Sequence, residues 1–517
     1  MVKILENFIS NDWLICDRSH ELPQLAEQFY LELTQFSHWQ TPPKIILAER
    51  EPLRFLAGFI AACAANCPIF LCNPNWVKQE WQQVFDLVQP DIIWGMEERG
   101  EGEREMGRWG EKGGEDGGMG GWGEKRWGDR GMERKKNSFL SNSPTLPLSH
   151  SPTFPLPHSP HIMIPTGGSS GKIKFAVHTW ETLTASVRGF TEYFQLQKVN
   201  SVCVLPLYHV SGLMQFVRCF TTGGTLTILP FKELKSGQLP DIEASEFFIS
   251  LVPTQLQHLL QNSDLTAWLS QFQTVLLGGA PAWDELLEKA RYYQINLALT
   301  YGMTETASQI ATLKPDDFLN GKVNCGQILP HAKVIICNDQ GEVLNTHQIG
   351  NITIQTESLA LGYYPLKITL GERGSSNYNH NLSSPFLSFN TDDLGVLDQE
   401  GYLNIVGRKS DKIITGGENV FPAEIESAIR ATAMVIDVCV VGVSHQYWGQ
   451  AITAIYIPKH SNISAVEIQN SLQDKLSKFK LPKYWIPAQS LPRNSQGKIN
   501  RQQLQQIAAE LLQISEK

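Results

Sequence analysis

Two hydrophobic periods alternate along this chain, and the places where they switch divide it. Lys44–Glu49, Pro68–Leu71 and Asp91–Gly95 are short apolar runs bounded by turn residues, the pattern of strands buried on both faces. Between them, Leu53–Asn66 has the length and residue types of a helix, and Trp76–Gln89 carries apolar residues along one helical face. The same rhythm returns after His161, with buried-strand patterns at Ser201–Leu205, Thr225–Leu229, Phe247–Leu251 and Thr274–Leu277. Strands alternating with helices predict parallel sheets covered on both faces. From Glu342 to Tyr364 the period shortens to a β-type alternation with turn residues, which predicts a smaller all-β region. After Gly407 comes another arrangement: a helix at Pro422–Ala433, strands at Val435–Val443 and Ala451–Pro458, and a helix at Ser464–Leu476. That is a compact α+β unit of about a hundred residues.

The expected fold class is therefore α/β. It comprises a large N-terminal domain of parallel-sheet α/β subdomains with a small β region, followed by a small α+β C-terminal domain. The pattern collapses only between residues 97 and 160. Up to about Lys136 this stretch is almost all Gly, Glu, Arg, Lys, Met and Trp, and then Ser, Pro, His, Thr and Leu take over. Ser143-Pro-Thr-Leu-Pro-Leu-Ser-His150 is nearly repeated by Ser151-Pro-Thr-Phe-Pro-Leu-Pro-His158. Such composition cannot bury enough apolar surface to offset chain entropy, so a disordered insertion is expected, with a binding arm as the alternative. Without it about 450 residues remain, enough for two or more domains.

Charge and cysteine content narrow the class. The 517 residues carry a net charge of -9, with no basic surplus to attract nucleic acid or an acidic membrane surface. The nine cysteines include no CxxC pair. Cys63 and Cys67 sit on an apolar helical run, where a small buried hydrophobe explains them better than a metal site. A reducing, cytoplasmic setting is expected. Met1–Leu14 lacks a basic stretch followed by an apolar core, so no secretory leader is expected, and no apolar run is long enough to predict a membrane span.

Four segments carry candidate chemistry. Pro165-Thr-Gly-Gly-Ser-Ser-Gly-Lys-Ile-Lys174 combines three glycines, the hydroxyls of Thr166, Ser169 and Ser170, and the ammonium groups of Lys172 and Lys174. Backbone amides, hydroxyls and positive charge together suit a triphosphate, although the Walker A spacing is absent and a flexible turn has the same composition. In Leu299-Thr-Tyr-Gly-Met-Thr-Glu-Thr306, Glu305 suits Mg²⁺ and Tyr301 suits stacking on a purine. A strand followed by a helix capped by Thr304 is the structural alternative. Phe389-Asn-Thr-Asp-Asp-Leu-Gly395 offers a carboxylate for two ribose hydroxyls, with Arg408 some fifteen residues on; an Asp-Asp turn alone is usually only a turn. Near the end, Leu491-Pro-Arg-Asn-Ser-Gln-Gly-Lys498 presents Lys498 on a loop bracketed by Pro492 and Gly497. Such a lysine either stabilises charge on a reacting phosphate or is a solvated surface group.

Taken together and in this order, the four segments resemble those of the acyl-adenylate-forming superfamily, over the whole chain except the insertion. The resemblance implies ATP and coenzyme A as co-substrates, Mg²⁺ as cofactor and a small carboxylic acid as substrate; oligomeric state does not follow from it. Thr166, Gly167, Gly168, Ser169, Ser170, Gly171 and Lys174 fall on the family's phosphate loop, with Gly167 in place of Ser and Ile173 in place of Pro. Gly279, Ala280 and Pro281 resemble the adenine-side strand end. Tyr301, Gly302, Met303, Thr304 and Glu305 match the YGxTE motif, whose Glu is a Mg²⁺ ligand, assisted here by Thr166. Thr391-Asp-Asp matches the TGD motif, with Asp393 as the ribose acid and Asp392 in place of the family's Gly. Arg408 matches a second ribose contact, and Ser410 falls at the family's hinge. Thr415, Gly416 and Gly417 resemble the segment lining the pantetheine tunnel, and Lys498 matches the adenylation lysine. The implied layout is an ATP- and acyl-binding domain formed by residues 1–96 and 161–406, a hinge at 407–411, and a mobile C-terminal domain at 412–517.

Pro206-Leu-Tyr-His-Val-Ser-Gly-Leu213 is similar to the PLFHVSG segment of o-succinylbenzoate–CoA ligases, and the phosphate loop resembles their cyanobacterial form. This likeness implies His209 at the acyl and thioester site, and a place in menaquinone or phylloquinone biosynthesis. Another acyl-CoA synthetase, a stand-alone enzyme loading a carrier protein, and a ligase that binds nucleotide without turnover are the alternatives. No carrier segment with its own attachment serine follows Lys498.

Overall fold

The computed structural model describes residues 13–35, 41–96, 160–167, 173–366, 378–379, 388–416, 418–473, 475–493 and 499–515. The expectation for 97–159 therefore lies outside the described residues.

The protein is α/β, and two parallel sheets dominate its N-terminal part. The first has strands Ile92–Trp94, Ile45–Leu47, Ile69–Leu71 and Ile162–Gly167 in parallel, closed by the antiparallel Ile173–His178. The second runs Leu14–Ile15, Leu226–Ile228, Asn200–Cys203, Phe247–Leu251, Thr274–Leu277 and Leu297–Met303 in parallel. Two antiparallel strands, Ser308–Thr312 and Gln327–Ile328, complete it. Each sheet thus ends by turning back on itself. The reversals occur at the two segments in which the sequence places the phosphate and Mg²⁺ residues.

The strands expected from apolar runs all form: Phe247–Leu251 and Thr274–Leu277 with the expected bounds, most others in the two parallel sheets trimmed by a residue or two, and Val435–His445 and Gly449–Pro458 two residues longer than expected. Buried polar backbone explains their short lengths: each run forms only as long as both its faces are covered. Helix Pro52–Ala64 starts with proline at a position where no amide donor is needed, and stops as Asn66 turns to φ +56°. Cys67 thus lies just beyond that helix, buried all the same. Helix Val210–Thr222 follows His209 and stops at Gly223, whose φ of +70° suits glycine.

One apolar core joins the two sheets. It takes Ile45, Leu47 and Ile69 from the first sheet and Leu226 from the second, with Leu56, Phe59, Leu213, Phe216 and Phe220 from the helices between them. Phe216 touches the rings of Trp13, Phe59 and Phe220 at centroid distances of 5.8, 5.7 and 5.3 Å. This cluster fixes the helix that starts at His209.

A β region forms but is wider than the expected Glu342–Tyr364, which contributes only Gly350–Thr356: it is an antiparallel sheet of Ala332–Cys337, Gly350–Thr356, Ser388–Leu397, Tyr378–Asn379 and Leu403–Arg408. The C-terminal segment builds its own sheet from Glu418–Val420, Ile413–Thr415, Gly449–Pro458 and Val435–His445, with Tyr484–Pro487 parallel at its edge. Helices Pro422–Arg430 and Arg501–Ser515 pack on it. The helix expected over Ser464–Leu476 is shorter, Ala465–Ser471, capped by Ser464; Leu472 and Leu476 enter the core from turns. Among the described residues no helix is long and apolar enough to cross a membrane.

Replacing Phe216 by Ala removes a fully buried ring from the shared core. The expected loss is about 3–5 kcal/mol of unfolding free energy, read from urea denaturation of the purified protein.

Candidate active site

The phosphate segment begins and ends on one hairpin. Thr166 pairs with Lys174 and Gly167 with Ile173, so residues 168–172 connect two adjacent strands. Ile173, where the family has proline, keeps an amide that donates to the Gln83 side-chain oxygen at 3.2 Å. Gly168, Ser169, Ser170 and Gly171 lie outside the described residues, as does Lys172.

A second reversal supplies the carboxylate. Leu297–Met303 pairs antiparallel with Ser308–Thr312, and Thr304–Thr306 between them is a single 3-10 turn rather than the start of a helix. Gly302 is required by closeness: a Cβ there would lie 2.0 Å from the Ser308 carbonyl oxygen. Ala307 and Ser308 leave the turn with φ of +50° and +92°, values that L-residues seldom adopt. The surroundings hold them there. The Ser186 hydroxyl donates to the Ala307 carbonyl at 2.7 Å, and the Thr306 hydroxyl to that of Ser308 at 2.8 Å. Local strain is thus spent on aiming the turn.

Glu305 at the centre of this turn is 7% exposed. Its Oε1 accepts from the Thr166 hydroxyl at 3.3 Å and from the Tyr363 hydroxyl at 2.6 Å. The Lys174 ammonium lies 5.3 Å from the Tyr363 ring centroid. The two motifs, distant in sequence, therefore meet through one carboxylate. The donor set fits Mg²⁺ as it is held among phosphates: one carboxylate and a hydroxyl, with no cluster of three acidic, His or Cys groups among the described residues. Mg²⁺ takes one or two protein oxygens and fills its octahedron with water and phosphate.

A second group forms around Asp393. The strands of the β region pair it directly with Arg408, whose Nε lies 3.5 Å from Oδ1. The Tyr301 hydroxyl donates to Oδ2 at 2.8 Å. Burial, with the Asp393 carboxylate beside it, pushes the Tyr301 phenol well above its ordinary pKa, so it remains a donor. Gly279, Ala280 and Pro281 are exposed just past strand Thr274–Leu277, next to the strand that carries Tyr301. Gly279 has a φ of +80°, and a Cβ on Gly278 would lie 2.4 Å from the Thr300 hydroxyl. Tyr301, Gly302, Met303 and Thr304 thus run from the Asp393 group to Glu305 along one strand end. This is the edge where ligands bind in open α/β sheets.

The structure gives Asp392 a partner. It sits in strand Ser388–Leu397 with no positive φ, so glycine is not needed there. Its carboxylate accepts from the Ser410 amide at 3.2 Å and from the Ser410 hydroxyl. The residue that replaces the family's glycine is therefore bonded to the residue at the hinge position.

The other expected residues belong to other segments of the chain. His209 precedes its helix, its ring 4.6 Å from that of Tyr208. Thr415 ends a strand of the C-terminal sheet, and the amide of Gly416, in the turn that follows, donates to the Trp448 carbonyl at 2.9 Å. Gly417 and Lys498 lie outside the described residues.

A model of the AMP-binding enzyme family matches residues 40–364, and one of the AMP-binding enzyme C-terminal domain matches residues 424–498. The chain belongs to the AMP-binding enzyme family. A 2-succinylbenzoate–CoA ligase of Bacillus anthracis is 32% identical over 350 residues, covering 68% of this chain and 70% of the relative. One of Listeria monocytogenes is 34% identical over 354 residues, covering 66% and 68%. The fold is that of o-succinylbenzoate CoA synthetase from Bacillus subtilis, solved with the acyl-adenylate intermediate OSB-AMP: the TM-score is 0.75 at 22% identity, over 97% of each chain. ATP-bound MatB from Rhodopseudomonas palustris gives 0.73 at 21% identity, over 95% of this chain and 94% of that one.

Two side chains of this AMP-binding enzyme escaped the sequence reading. Tyr363 comes from Leu361–Tyr364, which runs beside strand Ile173–His178 through bonds such as Val177 N–H to the Gly362 carbonyl. Its only sequence signal is a Gly-Tyr-Tyr-Pro turn. His178 is completely buried; its Nε2 lies 2.8 Å from the Thr304 carbonyl and its Nδ1 3.0 Å from the Thr182 hydroxyl. A neutral ring with Nε2–H donating satisfies both, and steadies the residue before Glu305.

Burial lowers the His178 pKa from 6.5 to about 4, against the smaller opposing effect of its bond to Thr304. The unfolded chain therefore binds this proton first as pH falls. The stabilisation is complete above about pH 6.5 and is lost progressively towards pH 4, a contribution of about 3 kcal/mol. Denaturation measured across that range should show the slope in the parent protein and a shallower one in His178→Gln.

Proposed function

We propose that this enzyme is an AMP-forming acid–CoA ligase acting on o-succinylbenzoate, forming o-succinylbenzoyl-CoA for menaquinone or phylloquinone biosynthesis in the cytoplasm. The observation that carries the ligase chemistry is the convergence of Thr166, Lys174 and Glu305 beside the Tyr301–Asp393–Arg408 group: an anion site next to a ribose-type acceptor. Support for the substrate comes from the ligases to which the chain is 32–34% identical over about two thirds of its length. The nine free thiols accord with a reducing compartment.

In the first step the acid's carboxylate attacks the α-phosphorus of ATP in line and expels pyrophosphate. The protein contributes position and charge. Lys174 and the amides and hydroxyls from Thr166 to Gly171 bind the leaving phosphates. Gly279, Ala280 and Pro281 flank the adenine, with Tyr301 against its face. Asp393 accepts from the ribose hydroxyls and Arg408 braces it. Glu305 and Thr166 would hold Mg²⁺, which when bound would neutralise charge on the triphosphate. Lys498 bridges the carboxylate and the α-phosphate as charge develops there.

In the second step the C-terminal domain, residues 412–517, turns about Ser410 within the 407–411 hinge. Lys498 leaves, and Thr415, Gly416 and Gly417 line a path for the CoA thiol, with His209 at the reacting carbonyl. Thiol attack yields the thioester and AMP.

Substrate choice is tested by ATP–pyrophosphate exchange and AMP release with o-succinylbenzoate, benzoate, a medium-chain fatty acid and amino acids, with and without CoA. Turnover with o-succinylbenzoate that needs CoA is expected; turnover with a different acid alone would discard the substrate and keep the mechanism. Nucleotide binding without turnover on any acid would discard both. Lys498→Ala should lose adenylation yet still form thioester from supplied adenylate, and equal loss of both half-reactions would remove its assigned role.

A further inference from the structure

The turn that carries Glu305 is gripped along its backbone from outside. The Thr304 carbonyl meets Nε2 of His178 at 2.8 Å, and the Glu305 carbonyl accepts from the Ala360 amide at 2.8 Å. The Thr306 carbonyl accepts from the Ser358 hydroxyl at 2.8 Å, and the Ala307 carbonyl from the Ser186 hydroxyl at 2.7 Å. Ser358 and Ala360 belong to the segment that also brings the Tyr363 hydroxyl to the Glu305 carboxylate. Residues 356–363 therefore hold Glu305 by its side chain and by the backbone around it.

Ser358 is completely buried, as is Thr306. Its direction is set by Thr356, which is also buried. The Ser358 amide donates to the Thr356 hydroxyl oxygen at 3.2 Å, and the two hydroxyl oxygens lie 3.0 Å apart. The Thr356 hydroxyl itself donates to the His331 carbonyl at 3.0 Å. The bond from Ser358 falls on a sensitive peptide unit, the one that joins Thr306 to Ala307. Ala307 has a φ of +50° and Ser308 one of +92°. Rotating that unit would let Ala307 leave the left-handed region and relax. A donor fixed on the Thr306 carbonyl opposes the rotation, so the turn stays aimed.

We propose that Ser358 is a positioning residue for the metal-bound triphosphate, holding the turn from which Glu305 presents its carboxylate. The inference rests on the reading of Glu305 as the residue that holds Mg²⁺. Removing a group that orients a metal ligand costs about tenfold to a hundredfold in metal affinity or activity. Losing the hydroxyl also strips a buried carbonyl of this donor, which lowers stability whatever its role. Dependence on Mg²⁺ is what separates positioning from stability.

The test is calorimetric titration of the full-length enzyme, without acid, with ATP and Mg²⁺, with ATP and EDTA, and with AMP. Ser358→Ala is expected to lose about tenfold of the gain in ATP affinity that Mg²⁺ gives. Its affinity for metal-free ATP, and for AMP at the Asp393 group, should be unchanged. ATP–pyrophosphate exchange should slow in step and recover in part at raised Mg²⁺. Thioester formation from supplied o-succinylbenzoyl-adenylate, which involves no triphosphate, should hold. Thr356→Val removes the hydroxyl that orients Ser358. It should shift the Mg²⁺ gain in the same direction by a smaller factor, and add little to Ser358→Ala, since the two act as one unit. Should Ser358→Ala fail to fold, Thr356→Val carries the test. An unchanged Mg²⁺ gain overturns the inference, and so does an equal loss of affinity for all three ligands, the mark of general loosening. Glu305→Gln run alongside distinguishes the two failures. If it abolishes the Mg²⁺ gain while Ser358→Ala does not, only the role of Ser358 falls; if it keeps the gain, the reading of Glu305 falls and this inference with it.

Discussion

Glu305 places a carboxylate where water barely reaches, and much of the surrounding structure exists to make that tolerable. A buried charge without partners is expensive, and two hydroxyls on one oxygen, from Thr166 and Tyr363, offset part of the cost. Holding them there requires three separate stretches of chain at one point. The first sheet supplies its reversed edge, the second supplies its 3-10 turn, and Leu361–Tyr364 is stitched on as a further strand-like edge. Strain at Ala307 and Ser308, the close approach at Gly302 and the buried His178 all belong to the same construction. Their common result is a carboxylate fixed in direction before any ligand arrives, which is worth more to binding and catalysis than the same group on a mobile loop.

The ribose-type group obeys a different physics. Asp393 is only partly buried, and its partners come from cross-strand register: Arg408 opposite it in the antiparallel β region, and Tyr301 from the end of the parallel sheet. A phenol held protonated by burial and by that carboxylate is a dependable donor. The group thus marks the seam between an α/β sheet and the β region, a position that neither element defines alone. The adjoining Asp392–Ser410 bond joins the same seam to the first residues of the C-terminal segment. Asp392, which stands where the family has glycine, makes that link by accepting from the Ser410 amide and hydroxyl.

The shared core explains why these edges keep their places. Helices between the two parallel sheets bury apolar side chains towards both, so Phe216 and its aromatic neighbours lock the sheets and the start of the His209 helix together. Close packing has low compressibility and so resists small displacements. The C-terminal sheet has its own core, centred on Ile413, Val438, Val440 and Ile452, and its own charge network. That independence is consistent with a segment that turns as a unit while its internal contacts persist.

Much of this was legible in the chain. Apolar runs of four to six residues with helical stretches between them dictate parallel sheets, because only double burial makes such runs favourable. The order of the Gly-Ser loop, the YGMTE segment, the Asp-Asp turn and the terminal lysine loop determined the family and the residues worth watching. Other features were not legible. Tyr363 and His178 carry no motif, since a hydroxyl or imidazole becomes functional only when folding brings it to a carboxylate or a carbonyl far away in sequence. Nor could local pattern tell that Thr304 ends a strand without starting a helix, that Asp392 would find Ser410, or that Ser358 would reach the Thr306 carbonyl. Sequence fixes what is decided by local period and composition. Register, close approach and burial of charge are long-range properties, and the tertiary structure alone determines them.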